Sequence, residues 1–133
     1  MAKIYSLKAG AKLPDHIIAI ATEEKILTAR VEAIGGVKRL RLAYFNHESK
    51  KYEEHDYKEF LEVTSILGNI TLKDGKQFLH IHGTFGRKDL SVIAGHVMAA
   101  TVSPLLEVII TPTKNRALRR FDDELGLNVI YKS

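Results

Sequence analysis

Three of the six histidines of this chain fall within residues 78–97, FLHIHGTFGRKDLSVIAGHV, and their spacing is the first feature that suggests chemistry. His80 and His82 form a His-x-His pair, and side chains two residues apart in a β-strand point to the same face. Such a pair can chelate one metal ion if a neighbouring strand supplies a third ligand. The nearest candidate is His96, at the far end of the next apolar segment.

The loop between these two strands decides whether His96 can join the pair. If Gly86 pairs with Leu90 across a three-residue loop, His96 lies directly opposite His80 on the same face. A two- or four-residue loop would turn His96 to the other face, because side chains alternate along a strand. Three neutral imidazoles with an open coordination position are typical of catalytic zinc, and they suit other divalent transition metals too. The pattern therefore makes His80, His82 and His96 candidate ligands of zinc or of another divalent transition metal.

The surroundings of the histidines separate a metal site from a simpler interpretation, in which the pair is only surface or interface imidazole. Spacing alone leaves both open. The other residues of the histidine face are apolar, namely Phe78, Leu90, Val92, Ala94 and Met98. An apolar face of this size indicates that a helix or another subunit covers it. Buried imidazoles need partners, and a metal satisfies three at once.

A second layer of the site is also predicted. A metal-bound histidine usually has its other ring nitrogen held by an acceptor. A hairpin that turns at Asp74-Gly75 sets Asn69 opposite His80, so the side-chain carbonyl of Asn69 is the expected acceptor.

The catalytic alternatives are few. The chain has no cysteine, which removes disulfides, thiolate chemistry and Cys-type zinc fingers. No serine elbow, glycine-rich phosphate loop or Walker pattern occurs. Glu62 and Glu107 are candidates by type for a general base beside a zinc ion. Nothing in their spacing puts either within reach, so each is expected to meet the surface or an arginine.

The elements that must position the histidines are predicted from periodicity and turn residues. The expected elements are a strand at 3–8, a helix at 14–25 that begins at Pro14, a hairpin at 30–45 that turns at Gly35-Gly36, a polar loop or hairpin tip at 46–58, a hairpin at 59–82, a third hairpin with its turn near 86–89, a strand broken or bulged at Pro104, a turn or short helix from 116, and a last strand at 127–131.

These elements predict one α/β (α+β) domain over residues 1–133, with a mostly antiparallel sheet and one main helix. The net charge of +4 is mild, and the basic residues are scattered along the chain, which is typical of a solvated surface. We expect no signal peptide and no membrane span, and the lack of cysteine fits a cytoplasmic protein.

The order of the motifs resembles a known family, the plant and prokaryote conserved (PPC) domain. The motifs are AIGGV, a strand ending in YF, EVTSILGNITLKDGKQFLHIH, AGHV, LEVIIT and FDDELGL. The resemblance implies an α/β fold that assembles as a homotrimer. It also implies that prokaryotic members with histidines at His80, His82 and His96 bind a metal, zinc above all. Gly68, Gly75, Gly95 and Glu107 match other residues of the pattern, whereas Ala94 stands where the family usually has glycine.

Three functional interpretations remain. The first is a homotrimeric metal- or ligand-binding domain of the PPC type, with a DNA-associated regulatory role and a small molecule as a further candidate partner. Plant members carry an AT-hook, which this sequence lacks, so only weak, non-specific DNA binding is expected. The second is a zinc-dependent enzyme that acts on a small molecule at the three histidines. The third is a structural oligomerisation module whose histidines have no function.

Overall fold

The computed structural model describes all 133 residues, and it consists of nine strands and one helix. In chain order the elements are β1 (Lys3–Lys8), β2 (Lys12–Leu13), α1 (Asp15–Glu23), β3 (Ala29–Asn46), β4 (Lys51–Tyr57), β5 (Leu61–Lys73), β6 (Lys76–Gly86), β7 (Val92–Pro112), β8 (Leu118–Asp122) and β9 (Leu127–Lys132). The mostly antiparallel sheet and the single helix confirm the predicted fold class.

The four long strands curl the sheet back on itself. The strand order is β4-β3-β7-β6-β5-β8-β9, and β3 pairs with β5 as well, so β3, β7, β6 and β5 form a closed circuit of pairings. A core cluster of 23 buried residues lies on the inner face. Helix α1 adds Ile17 and Ala21 to this cluster, and both are fully buried. Residues that alternate with the core positions, including the three histidines, therefore face outward.

The hairpin of β5 and β6 has the predicted register. Asn69 pairs with His80, Leu67 with His82 and Ile70 with Leu79. The two residues of the turn, Asp74 and Gly75, both have positive φ angles of 52° and 75°, as a type I′ turn requires. The turn and the alternation of apolar residues agree, which is why the pattern was sufficient here.

The hairpin predicted at 30–45 is wrong, because β3 runs without a turn from Ala29 to Asn46. Gly35 and Gly36 serve a close approach instead. A Cβ on Gly36 would lie 2.5 Å from the carbonyl oxygen of Ser103, and one on Gly35 would lie 2.9 Å from the Cα of Leu106. The pairing of β3 with β7 shifts at this point, where Gly35 pairs with Leu106 and Val37 with Val102. The shift skips three residues of β7, including Pro104, so the bulge predicted at that proline is present.

Two further segments differ from their predictions. Residues 51–57 form β4, which pairs with the second half of β3, where a loop or hairpin tip was expected. Residues 118–122 form β8, which pairs with β5 and β9, where a turn or short helix was expected. Helix α1 begins at Asp15 and ends at Glu23, close to the predicted bounds. No helix of the chain has the length and apolar character to cross a bilayer.

Gly68 packs directly against the backbone of His80 and Ile81 on the neighbouring strand, so a larger residue at this position should destabilise the fold. A Cβ there would collide with the backbone carbonyl of His80 and lie 2.8 Å from the Cα of Ile81. The backbone must shift to admit a methyl group, and overpacking of this kind costs about 1–3 kcal/mol. We expect Gly68→Ala to lower the free energy of unfolding by that amount, measured by denaturant titration.

Gly86→Ala is the matched control in the same hairpin. Its added Cβ would meet Thr64 and Glu62 at 3.6 and 3.7 Å, which are ordinary contacts. The control should therefore unfold at nearly the wild-type denaturant midpoint. Equal midpoints for the two variants would contradict the close approach at Gly68.

Candidate metal centre

Three imidazole rings converge on the outer face of β6 and β7. One ring nitrogen from each of His80, His82 and His96 lies within 4.8 Å of the others. The Nε2 atoms of His80 and His82 are 3.1 Å apart, and the ring centroids of the three pairs are 5.0–5.3 Å apart. The structure thus brings together all three histidines that the sequence singled out.

The partner of His96 across the strands differs from the prediction. His96 pairs with His82 and not with His80, because Gly86 pairs with Val92 and not with Leu90. The connection is five residues long, 87–91, and it includes Leu90 with a φ angle of 70°. An odd loop length keeps the side-chain phase, so His96 still reaches the expected face.

Burial keeps two of the rings in the form that binds metal. His80 and His96 are half-buried, whereas His82 is exposed. Burial, with the neighbouring His80 and His82 as a smaller cause, lowers the pKa of His96 to about 4. Burial also lowers the pKa of His80, helped by Arg119 and His82. Both rings are therefore neutral near pH 7, and neutral imidazole is the ligand form.

His96 also has an unsatisfied buried nitrogen. Its Nδ1 atom is buried and has no hydrogen-bond partner. The ring stacks at a tilt against Tyr52 of β4, with centroids 4.9 Å apart, so the aromatic side chain fixes the ring but does not satisfy its nitrogen. A buried nitrogen without a partner is costly. A buried nitrogen without a partner, three converging imidazole rings and the absence of a carboxylate from the cluster fit a borderline-soft divalent ion such as zinc.

The predicted contact between Asn69 and His80 is replaced by one through an arginine. Asn69 lies opposite His80 as expected, but its amide oxygen accepts a hydrogen bond of 3.0 Å from Nη2 of Arg119. The same Nη2 atom lies 3.5 Å from Nδ1 of His80. Asn69 therefore orients the guanidinium group, which in turn faces the ring.

Arg119 and Tyr52 are the residues that the sequence did not identify. Both stand on strands that were not predicted, β8 and β4, and they cover the histidine face from opposite sides. The segment around Tyr52, KYEEHDY, shows no apolar alternation, and Arg119 is one of several arginines near the C-terminus. No sequence signal distinguished either of them.

Two residues of the histidine face, Leu90 and Val92, were expected to lie under a helix or another subunit. In the single chain they are 86% and 60% exposed.

The two glutamates considered as general bases lie away from the cluster. Glu62 pairs with Gly86 at the far end of the β5–β6 hairpin. Glu107 lies along an outer groove with Glu32 and Ile34. Neither belongs to the group of potential metal ligands, which consists of the three histidines.

Known proteins resemble this chain in sequence and fold over most of its length. The chain matches the Plants and Prokaryotes Conserved (PCC) domain over residues 3–114. It is 32% identical to a metal-containing protein from Archaeoglobus fulgidus, over 99% of this chain and 94% of that one, with a TM-score of 0.93. A candidate DNA-binding protein from Bacteroides thetaiotaomicron is 29% identical, over 97% and 90% of the two chains, with a TM-score of 0.93.

A PPC protein from Pyrococcus horikoshii is 27% identical, over 100% of this chain and 92% of that one, with a TM-score of 0.92. No curated protein matches the sequence significantly. The family match covers most of the chain, and the similar structures cover nearly all of it. This chain is a member of the Plants and Prokaryotes Conserved domain family, also written PPC.

Proposed function

We propose that the chain forms one PPC-type domain, residues 1–133, that binds a divalent transition metal, zinc by preference, at His80, His82 and His96. The observation that carries the proposal is the convergence of three ring nitrogens within 4.8 Å of one another. The buried Nδ1 atom of His96, which has no hydrogen-bond partner, supports it. The metal-containing relative from Archaeoglobus fulgidus supports it. A cytoplasmic location stays a prediction, based on the lack of cysteine.

A binding role has more support than an enzymatic one. Bound zinc would supply a Lewis acid and lower the pKa of a water molecule in its open position. A zinc-dependent enzyme also needs a group that moves protons at the reacting atoms. Glu62 and Glu107 lie elsewhere, and no carboxylate belongs to the cluster. The open position expected beside three imidazoles keeps the enzyme as the second candidate.

The metal prediction concerns His82, the exposed member of the cluster. Purified protein reconstituted with zinc and then dialysed should retain up to one ion per chain. His82→Ala should lose most of it, because two remaining imidazoles make a weak site. The measurement is elemental analysis by mass spectrometry of the dialysed protein.

His55→Ala is the control, since His55 is an exposed strand histidine on β4, outside the cluster. It should retain as much zinc as the wild type. Wild-type protein that holds no metal after reconstitution would refute the proposal, and equal losses in both variants would refute the choice of residues.

The assembly proposed for the domain is a homotrimer. On the outer face, Ile4, Ile34 and Leu67 line a groove of about 280 Å³ and are 74%, 54% and 52% exposed. Apolar clusters of this kind usually mark an interaction surface, and a closed cyclic assembly covers them without leaving open ends. Leu67 pairs with His82, so a subunit packed on this groove would border the metal centre.

The trimer prediction uses two apolar residues of equal exposure. Wild-type protein at micromolar concentration should have the mass of three chains in light scattering with size exclusion. Ile34→Asp should dissociate the assembly, because it puts a charge into the groove. Leu125→Asp should leave it intact, since Leu125 is 53% exposed but lies in the turn between β8 and β9.

A monomeric wild type would refute the assembly itself. A dimer would refute the trimer. Dissociation by Leu125→Asp, with Ile34→Asp still assembled, would show that a different surface joins the subunits.

For DNA we propose only weak binding without sequence specificity. Some similar structures belong to candidate DNA-binding proteins, but the net charge of this chain is only +4. Four of its basic residues are already paired with carboxylates, namely Lys3, Arg30, Arg41 and Arg87. The remaining positive charge supports contacts to phosphates rather than to bases.

We therefore expect a Kd of about 10⁻⁴–10⁻⁶ M at physiological salt, the range of non-specific binding. Fluorescence anisotropy with AT-rich and GC-rich duplexes should give equal affinities. Each affinity should fall steeply as salt rises, because phosphate contacts release counterions. A tight complex with one duplex only, at physiological salt, would contradict this expectation.

A further inference from the structure

Arg119 carries a buried positive charge that no carboxylate neutralises. Arg119 is only 8% exposed, and it takes part in none of the four ion pairs of the structure. Nε donates to Oγ1 of Thr71 at 2.8 Å, and Nη1 donates to the carbonyl oxygen of Asn128 at 2.9 Å. These acceptors, like Asn69, are neutral. A buried charge is unfavourable unless it is paired, and burial lowers the pKa of Arg119 accordingly.

The contact between Arg119 and His80 depends on what the ring nitrogens carry. Nη2 of Arg119 is a donor at every ordinary pH, so at 3.5 Å it suits a His80 ring with a free lone pair on Nδ1. The proton of that neutral ring then sits on Nε2, which faces Nε2 of His82 at 3.1 Å. If His80 binds a metal ion through Nε2, its proton moves to Nδ1. Two donors then face each other and lack an acceptor.

The charge balance leads to the same requirement. A divalent ion held by three neutral imidazoles keeps both positive charges, and Arg119 adds another. No carboxylate belongs to the histidine cluster, and none forms an ion pair with Arg119. The metal-loaded centre therefore lacks an anion.

We propose that the loaded centre binds a small carboxylate anion, with Arg119 as the residue that selects for its charge. This inference rests on the proposed metal site. A carboxylate can offer one oxygen to the ion and the other to the guanidinium group, whose planar donors suit it better than a point charge does. Two aromatic rings border the site. The ring centroid of Phe78 lies 5.4 Å from the guanidinium carbon of Arg119, and the ring of Tyr52 lies beside His96. Such apolar surfaces suit the carbon body of an organic acid.

The first test uses wild-type protein and thermodynamic linkage. Zinc affinity is measured by competition with a chromophoric chelator, in sodium acetate and in acetamide at equal ionic strength. Acetamide has the shape of acetate without its charge. At an acetate concentration about ten times its Kd, the zinc affinity should rise about tenfold, because each ligand must strengthen the other equally.

The second test assigns the effect to Arg119. Arg119→Gln should bind zinc but lose the acetate effect, whereas Arg120→Gln should keep it. Arg120 is the matched control: it carries the same charge one residue away, is exposed and stands over the ring of Tyr131 at 4.7 Å. Circular dichroism establishes that each variant is folded, and the same buffer corrects for acetate that binds free zinc. If Arg119→Gln does not fold, Arg119→Lys takes its place: it keeps the charge without the planar donors, so the acetate effect should shrink, and an undiminished effect would overturn the role given to Arg119.

The outcomes separate the two proposals. Wild-type protein that binds zinc with equal affinity in acetate and acetamide would overturn the anion site and leave the metal site standing. Protein that binds no zinc would overturn both. An acetate effect that persists in folded Arg119→Gln would overturn the role given to Arg119.

Discussion

The pairing of β6 with β7 is the constraint on which the candidate site depends. His82 lies opposite His96, and the alternation of side chains gives a strand only two phases. A shift of one residue would carry His96 into the core and Val97 out of it. The buried neighbours of the histidines, Ile81 and Val97, hold the phase, because both belong to the core cluster. The hydrophobic effect that folds the sheet thus also points three polar rings at one another on its outer face.

Close approaches between strands explain why this phase survives a strongly irregular sheet. The pairing of β3 with β7 shifts at three places, and glycine occupies the tightest one, where Gly35 and Gly36 meet the backbone of residues 103–106. Gly68 does the same on the other side of the site, against His80 and Ile81. Bulges bend a sheet and strengthen its twist. Here they let four long strands close around one core while β6 and β7 keep a regular ladder over residues 82–86 and 92–96.

Features that depend on residues close together in the sequence were predicted, whereas features that depend on partners remote in the sequence were not. The β5–β6 hairpin was predicted with its register, since the Asp74-Gly75 turn and the alternation of apolar residues are local signals. The same reasoning failed at Gly35-Gly36, because a glycine pair needed by a distant strand looks like a turn. The histidine phase was predicted although the loop was two residues longer than expected, because only the parity of its length matters. Arg119 and Tyr52 were missed, since their strands are defined by partners remote in sequence and carry no pattern of their own.

Electrostatics separate this site from a surface cluster of histidines. Exposed imidazoles are solvated and gain little from a common neighbour, whereas burial holds His80 and His96 neutral and leaves Nδ1 of His96 without a partner. Arg119 opposes protonation of one of these rings, because its charge lowers the pKa of His80. A positively charged group beside metal ligands would weaken the binding of a cation if nothing else entered. If the three histidines bind a cation as proposed, Arg119 would favour that binding only when an anion enters with the ion. On that proposal the site would take up a pair of opposite charges together, and Arg119 would matter as much as the three histidines.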